Sequence, residues 1–303
     1  MPTRHSTVHI PVGDRRIAGT LVAPDTLVPG VLLIHGWDGS QQNYIERAHE
    51  IAALGCICLT FDLRGHAEDK AQREMVTRED NLTDILAAYD LLVSHPAVDS
   101  SNVAVIGSSY GGYLAAVLTT LRRVRWLALR VPALYKDEDW LVPKRSLNKE
   151  EVAAYRMTPV KPSENRALGA CAQFKGDVLI VESELDTTVP HPVIENYKAA
   201  FERARSMTYR VISGADHSLS TPEFRNAYGA ILVGWVGEMV TGARNDAQAA
   251  EAARRKAQQK GADVAETPRA QRKRAERRRR AMVARRMVTD LKNFVMRTRK
   301  PSA

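Results

Sequence analysis

Long apolar runs are missing from this 303-residue sequence. No stretch approaches the ~18 residues that a membrane-spanning helix needs, so no such helix is expected. The opening residues, Met1-Pro2-Thr3-Arg4-His5-Ser6, lack the apolar core of a secretory signal. Cysteine is scarce: Cys56, Cys58 and Cys171 are the only three, and they form no even-numbered disulfide framework. Cys56 and Cys58 alternate along an expected strand and read as small core hydrophobes facing one way. A reducing, cytoplasmic setting is predicted. No phosphate-cradling G-x-x-x-x-G-K-S/T loop occurs. His35, His66, His191 and His217 are not expected to build a zinc helix. Neither cofactor nor metal is expected.

What is present is ordinary in amount and uneven in place. A hydrophobic fraction of 44% and a charged fraction of 26% suit a globular protein. The length suffices for one large α/β domain or two smaller ones. The net charge of +9 hides a division. Residues 241–303 hold 19 of the 44 Lys and Arg and 6 of the 35 Asp and Glu, a net of +13. The remaining 25 and 29 leave residues 1–240 at −4. The body is mildly acidic and the tail strongly basic.

Along the body, strand-like and helix-like stretches alternate. Thr7–Val12 and Arg16–Val22 flank a turn at Gly13-Asp14, as in an antiparallel hairpin. Gly30–Gly36 and Cys56–Phe61 are apolar runs of the kind buried on both faces of a parallel sheet. Asn43–Leu54 has helical spacing and stops at Gly55. Residues 78–94 offer one apolar face of Leu82, Ile85, Leu86, Tyr89 and Leu92. Strands follow at Asn102–Ile106, Val124–Val131, Gly176–Val181 and Met207–Ile212, with helices at Tyr113–Leu118, Val193–Arg205 and Pro222–Val240. The alternation predicts an α/β, doubly wound, mostly parallel sheet with an N-terminal antiparallel hairpin. Residues 1–240 form its domain, and 241–303 a basic tail, partly helical or disordered.

Gly107-Ser108-Ser109-Tyr110-Gly111-Gly112 joins one of these strands to its helix. Gly107, Ser109 and Gly111 fit the G-x-S-x-G pattern in which a sharp turn pushes a serine outward. Alone, the pentad is equally a glycine-rich turn. A serine hydroxyl needs a base with a pKa near working pH, and an acid to orient that base. His217 lies in the loop after the last strand and Asp186 after the strand ending at Val181. In such sheets, function collects at the carboxyl ends of strands. Glu182, Glu184 and Asp216 are rival acids, Glu182 still within the strand and Asp216 too close to His217 in sequence. The developing oxyanion needs two N–H donors, assigned to Tyr110 and to Trp37 in the loop after Ile34. The Trp37 indole serves equally as a pocket wall.

Five pieces together resemble the α/β-hydrolase family over residues 7–240: His35–Gly39, Asp62–His66, Gly107–Gly112, Glu184–Pro190 and Gly214–His217. The order Ser109, Asp186, His217 is the order of that family. Its serine esterase/aminopeptidase-like and dienelactone-hydrolase-like branches are most similar. Ser109 departs from the cysteine nucleophile of true dienelactone hydrolases, and Ala67-Glu68-Asp69 departs from the further glycine and serine of many relatives. The resemblance implies a serine hydrolase cleaving carboxylic esters through an acyl-enzyme. Amide or peptide cleavage, acyl transfer, or a non-catalytic scaffold remain alternatives. No propeller-sized extension, as in oligopeptidase relatives, is seen.

Residues 133–175 read as a small cap with Leu134, Tyr135, Trp140, Leu141 and Tyr155 as pocket walls or lid packing. A cap this small favours a short or soluble substrate, by analogy alone. In the tail, Val283, Met287, Leu291 and Phe294 recur at helical spacing among arginines. Such a helix suits non-specific contact with an anionic membrane or nucleic acid, or is simply solvated.

Overall fold

The computed structural model describes residues 3–12, 15–24 and 27–266, together with Arg272 and Glu276. The chain divides into two compact units, Met1–Thr241 and Gly242–Ala303. In the first unit, β1 (Thr3–Val12) and β2 (Arg15–Pro24) pair antiparallel over their whole length, the hairpin expected from their sequence. Among the described residues, no helix is long and apolar enough to cross a membrane. The second unit is helical as far as Glu266. The amphipathic stretch carrying Val283, Met287, Leu291 and Phe294 lies outside the described residues.

The main sheet has six strands, all parallel. They are β3 (Val28–Ile34), β4 (Ile57–Thr60), β5 (Val98–Ser108), β6 (Trp126–Arg130), β7 (Asp177–Ser183) and β8 (Ser206–Ile212), in the spatial order β4-β3-β5-β6-β7-β8. Their centres are apolar because helices cover both faces of such a sheet. Val31–Ile34, Val103–Ile106 and Leu127 have no exposed surface. Each large side chain buried this way is worth about 1.5–3 kcal/mol.

Register aligns the strand ends. Ile34 pairs with Gly107, Gly107 with Leu129, and Leu129 with Ile180. The loops leaving these positions therefore rise from one edge. The chain runs outward from β3 to β4, then returns to the other side of β3 to begin β5. That reversal makes a crevice between the carboxyl ends of β3 and β5, where such sheets bind ligands.

The helices are α1 (Gln42–Ala53), α2 (Arg78–Ser94), α3 (Tyr110–Leu118), α4 (Lys149–Arg156), α5 (Arg166–Gln173), α6 (His191–Ala200) and α7 (Pro222–Glu266). α1 ends where Gly55 takes φ +86°, and α2 has the bounds its periodicity predicts. α2 starts with a capping box: Thr77 Oγ1 accepts from Asp80 N–H (3.1 Å), and Thr77 N–H donates to the Asp80 carboxylate (3.0 Å). Arg64 then bridges Asp80 and Asp84 on α2 at 3.0 and 2.6 Å. This ties the loop after β4 to the helix.

The segment between β6 and β7 is less of a cap than its sequence implies. α5 buries Ala167, Leu168, Ala170 and Cys171 and packs on α3 and α6, as part of the body. Only the part through α4 borders the crevice.

Candidate active site

Ser109 stands at the turn from β5 into α3 with φ +51° and ψ −116°, a conformation costly for any residue with a Cβ. Its neighbours hold it there. Ser109 N–H donates to Arg130 C=O (2.9 Å), and Ser109 C=O accepts from Tyr113 and Ala133 N–H (3.0 Å each). The glycines permit the closeness. A Cβ on Gly107 would lie 2.5 Å from Gly111 O, and one on Gly111 would lie 2.4 Å from His35 O. The turn is that tight because strand, helix and the loop after β3 meet on it.

The loop after β3 passes against Ser109. An added Cβ on Gly36 would sit 3.4 Å from Ser109 Cβ. The Gly36 carbonyl accepts from Gly39 N–H (3.0 Å) and from His35 Nδ1 (2.7 Å). No described peptide bond is cis, and a trans peptide points its N–H opposite its carbonyl. Two donors on Gly36 O thus fix the direction of Trp37 N–H. Tyr110 N–H opens α3 and has no acceptor within its own helix.

His35 is buried, and its role is set by its two ring bonds. Leu63 N–H donates to Nε2 (3.0 Å), so the proton must be on Nδ1. Burial holds its pKa down to about 4. His66 and Arg73 both reach Trp37 O. The Asp62–His66 motif therefore braces the loop after β3 from behind.

Asp186 and His217 meet. His217 Nδ1 donates to Asp186 Oδ2 at 2.6 Å, and Asp186 Oδ1 accepts from Thr188 and Val189 N–H, both 2.8 Å. The Asp186 side chain is 1% exposed and that of His217 is 27%. With the proton on Nδ1, His217 keeps the Nε2 lone pair for another partner. The rival acids have other duties. Glu182 binds His191 (2.8 Å) and Tyr209; Glu184 binds Gly214 N–H (2.6 Å) and Ser213 (2.7 Å); Asp216 binds Ser218 (2.8 Å) and Ser220 N–H (2.8 Å). Glu184 and Leu185 thereby pin the histidine loop, since Leu185 N–H also donates to Ala215 O (2.8 Å).

Ser109, His217, Trp37 and Gly36 line one cavity of about 790 Å³. Ser108 lines it too, with its hydroxyl accepting from Arg130 Nε (3.3 Å). Among the five aromatic and leucine walls expected from residues 133–175, only Tyr135 borders the cavity. Leu134 is in the core, Trp140 is buried with its indole N–H on Glu79, Tyr155 takes a bond from Asn165 (3.3 Å), and Leu141 is 70% exposed. Sequence reading missed Lys144 and Arg156, which do line the cavity. No spacing rule marks a lysine in an irregular segment as facing inward.

The sequence pattern of the prolyl oligopeptidase family matches residues 43–243, more than half of the chain. The chain belongs to that family. Solved structures share its α/β-hydrolase fold. One of the metagenome-derived lipolytic enzymes LipS and LipT matches with a TM-score of 0.55 at 18% identity, over 70% of this chain and 95% of its own. A monoacylglycerol lipase from Paleococcus ferrophilus matches at 0.54 and 16%, over 79% of this chain and 100% of its own. A bacterial heroin esterase matches at 0.51 and 20%, over 78% and 84% respectively. At these identities the likeness is one of fold. No curated protein matches the chain.

Proposed function

We propose that this α/β-hydrolase is a serine hydrolase that cleaves carboxylic esters through an acyl-enzyme. Ser109 is the nucleophile, His217 the general base and Asp186 its orienting acid, with Trp37 and Tyr110 N–H groups as oxyanion donors. The observation that carries the reading is the 2.6 Å Asp186–His217 bond beside a cavity that Ser109 also lines.

In this reading Ser109 Oγ attacks the ester carbonyl while His217 Nε2 takes its proton. Negative charge moves to the carbonyl oxygen, where two fixed N–H dipoles stabilise it without reorganising. Collapse expels the alcohol, which receives the proton from His217, and water repeats the cycle on the acyl-enzyme. Buried Asp186 favours the imidazolium formed in between. Lipolytic and ester-cleaving relatives in the fold support ester over other acyl donors. The family match favours a second reading, amide or peptide cleavage by the same groups.

Labelling with a fluorophosphonate probe tests the assignment. The wild type is expected to label at Ser109 and Ser109→Ala is expected not to. Equal labelling of both proteins, or none in the wild type, removes the serine mechanism.

A further inference from the structure

We propose that the ester cleaved carries an anionic oxygen group, a carboxylate or a phosphate, held between Lys144 and Arg156 against the Tyr135 ring. The proposal rests on the ester-hydrolase reading above and adds the substrate class.

The observation is a charge imbalance within the cavity. Residues 1–240 are net acidic at −4, yet seven Lys and Arg side chains line the cavity beside one carboxylate, Asp38. Asp38 is itself paired with Arg73. Two of the seven have acidic partners: Arg47 binds Glu50 (2.9 Å) and Arg145 binds Glu74 (3.3 Å). Arg130 is committed to the frame, donating to His217 O (3.0 Å) and Ser108 Oγ (3.3 Å). Among the described residues, neither Lys144 nor Arg156 has a carboxylate partner.

These two share one ring. Lys144 Nζ lies 5.5 Å from the Tyr135 centroid and Arg156 Cζ lies 5.0 Å from it. Lys144 Nζ also stands 4.6 Å from the Trp37 ring and 5.8 Å from the Tyr110 ring. Arg156 is buried; its Nε donates to Leu134 O (3.2 Å) and its Nη1 to Thr188 O (2.6 Å). Those carbonyls orient the guanidinium and leave its charge uncompensated. Aromatic faces stabilise a cation only in part, and withdrawing a charge from water without a counter-ion is costly. A neutral acyl chain laid along this wall would desolvate both cations further. A carboxylate or phosphate would instead form charge-assisted hydrogen bonds with each. Ser109, Lys144 and Arg156 line the same cavity, so the ester and its anionic group share it.

The test compares two esters of equal chain length, mono-para-nitrophenyl glutarate and para-nitrophenyl valerate, with spontaneous hydrolysis subtracted. For the wild type at low salt, kcat/KM for the charged ester should exceed that for the neutral one by about tenfold or more, and added salt should narrow the gap. In Lys144→Gln the ratio should fall towards one, chiefly through KM of the charged ester. Arg156→Lys keeps the charge but loses the planar fork, and should give an intermediate ratio. A phosphonate analogue of the charged ester tells a phosphate preference from a carboxylate one. A wild-type ratio at or below one, with the neutral ester turned over, overturns the anion proposal and leaves the hydrolase standing. A high ratio that survives Lys144→Gln also overturns it. If neither ester reacts and Ser109 fails to label, the hydrolase reading falls instead. Glutarate or inorganic phosphate binding to Ser109→Ala, measured by calorimetry, then decides the anion site by itself: binding weakened by a second Lys144→Gln change supports it, and absence of binding refutes it.

Discussion

The cavity's two sides are built by different means. On the sheet side, Gly36, Ser109, Asp186 and His217 are short or rigid groups held by backbone hydrogen bonds and by glycines packed on carbonyls. In the part built from the segment between β6 and β7, Lys144 and Arg156 reach in on long stems from an irregular stretch and from α4. The first side has no freedom to adapt, and the second has charge to place. We read the difference as a division between reaction and selection. Substitutions on the sheet side should act on kcat and on folding; those in the other part should act on KM and on substrate preference.

The sharpest test of the sheet side is Asp186→Asn. Asp186 Oδ1 already accepts two N–H groups, so an asparagine there keeps its oxygen on Thr188 and Val189. Its amide nitrogen would then face His217 and donate, forcing the imidazole proton onto Nε2. The base would present a proton to Ser109 instead of a lone pair. A fall in kcat of about ten-thousandfold is expected, with little change in stability. Steady-state kinetics with unchanged urea unfolding would bear this out; a loss below tenfold would remove Asp186 from its role.

Gly111→Ala should break the same side by packing. The new Cβ would meet His35 O at 2.4 Å and Ile34 O at 2.6 Å, both backbone atoms of β3 and its loop. Either the loop retreats from Ser109 or α3 tilts away. A destabilisation of about 3 kcal/mol is expected in urea unfolding, accompanied by lost turnover. A change at the half-buried cavity wall such as Lys144→Gln, which loses ring contacts but creates no overlap, should move stability by no more than about 1 kcal/mol. Similar unfolding midpoints for the two variants would abolish the distinction drawn between the sides.

The same division explains what could be read from the sequence. Short apolar runs such as Val31–Ile34 and Val103–Ile106, rich in β-branched residues and bounded by turn residues, read as strands buried on both faces, so the sheet was legible. The turns that carry Ser109 and His217 were legible because glycines mark them locally. Asp186 was separable from Glu182, Glu184 and Asp216 only through the family order; the structure separates them by their partners. The part between β6 and β7 was illegible. Trp140 and Leu134 look like pocket walls because they are large and apolar, but that property equally drives them into the core. Lys144 and Arg156 look like solvated charge, because the ring they share and the carbonyls they grip are brought to them by the fold.

The finest test concerns His35, which lies under the loop that carries Trp37. Its Nε2 accepts from Leu63 N–H, so a second ring proton would set two donors against each other. Burial is the main cause that lowers its pKa from 6.5 to about 4, with nearby His66 pushing the same way and the Gly36 carbonyl and Asp62 opposing. Between those values the unfolded chain binds the proton and the folded one does not. Stability is therefore complete above about pH 6.5 and is lost as pH falls towards 4. This residue should account for roughly 3 kcal/mol of that loss. Urea unfolding at pH 7 and pH 4, in wild type and His35→Gln, isolates it: the variant should show a smaller difference between the two pH values. An equal difference in both proteins would mean that the ring is not held neutral. The contrast between the two parts is then one of charge as well as rigidity. A second proton on His35 would disrupt the bonds that aim Trp37 N–H, so the fold keeps this one buried ring neutral, while Lys144 and Arg156 bring charge to the cavity itself.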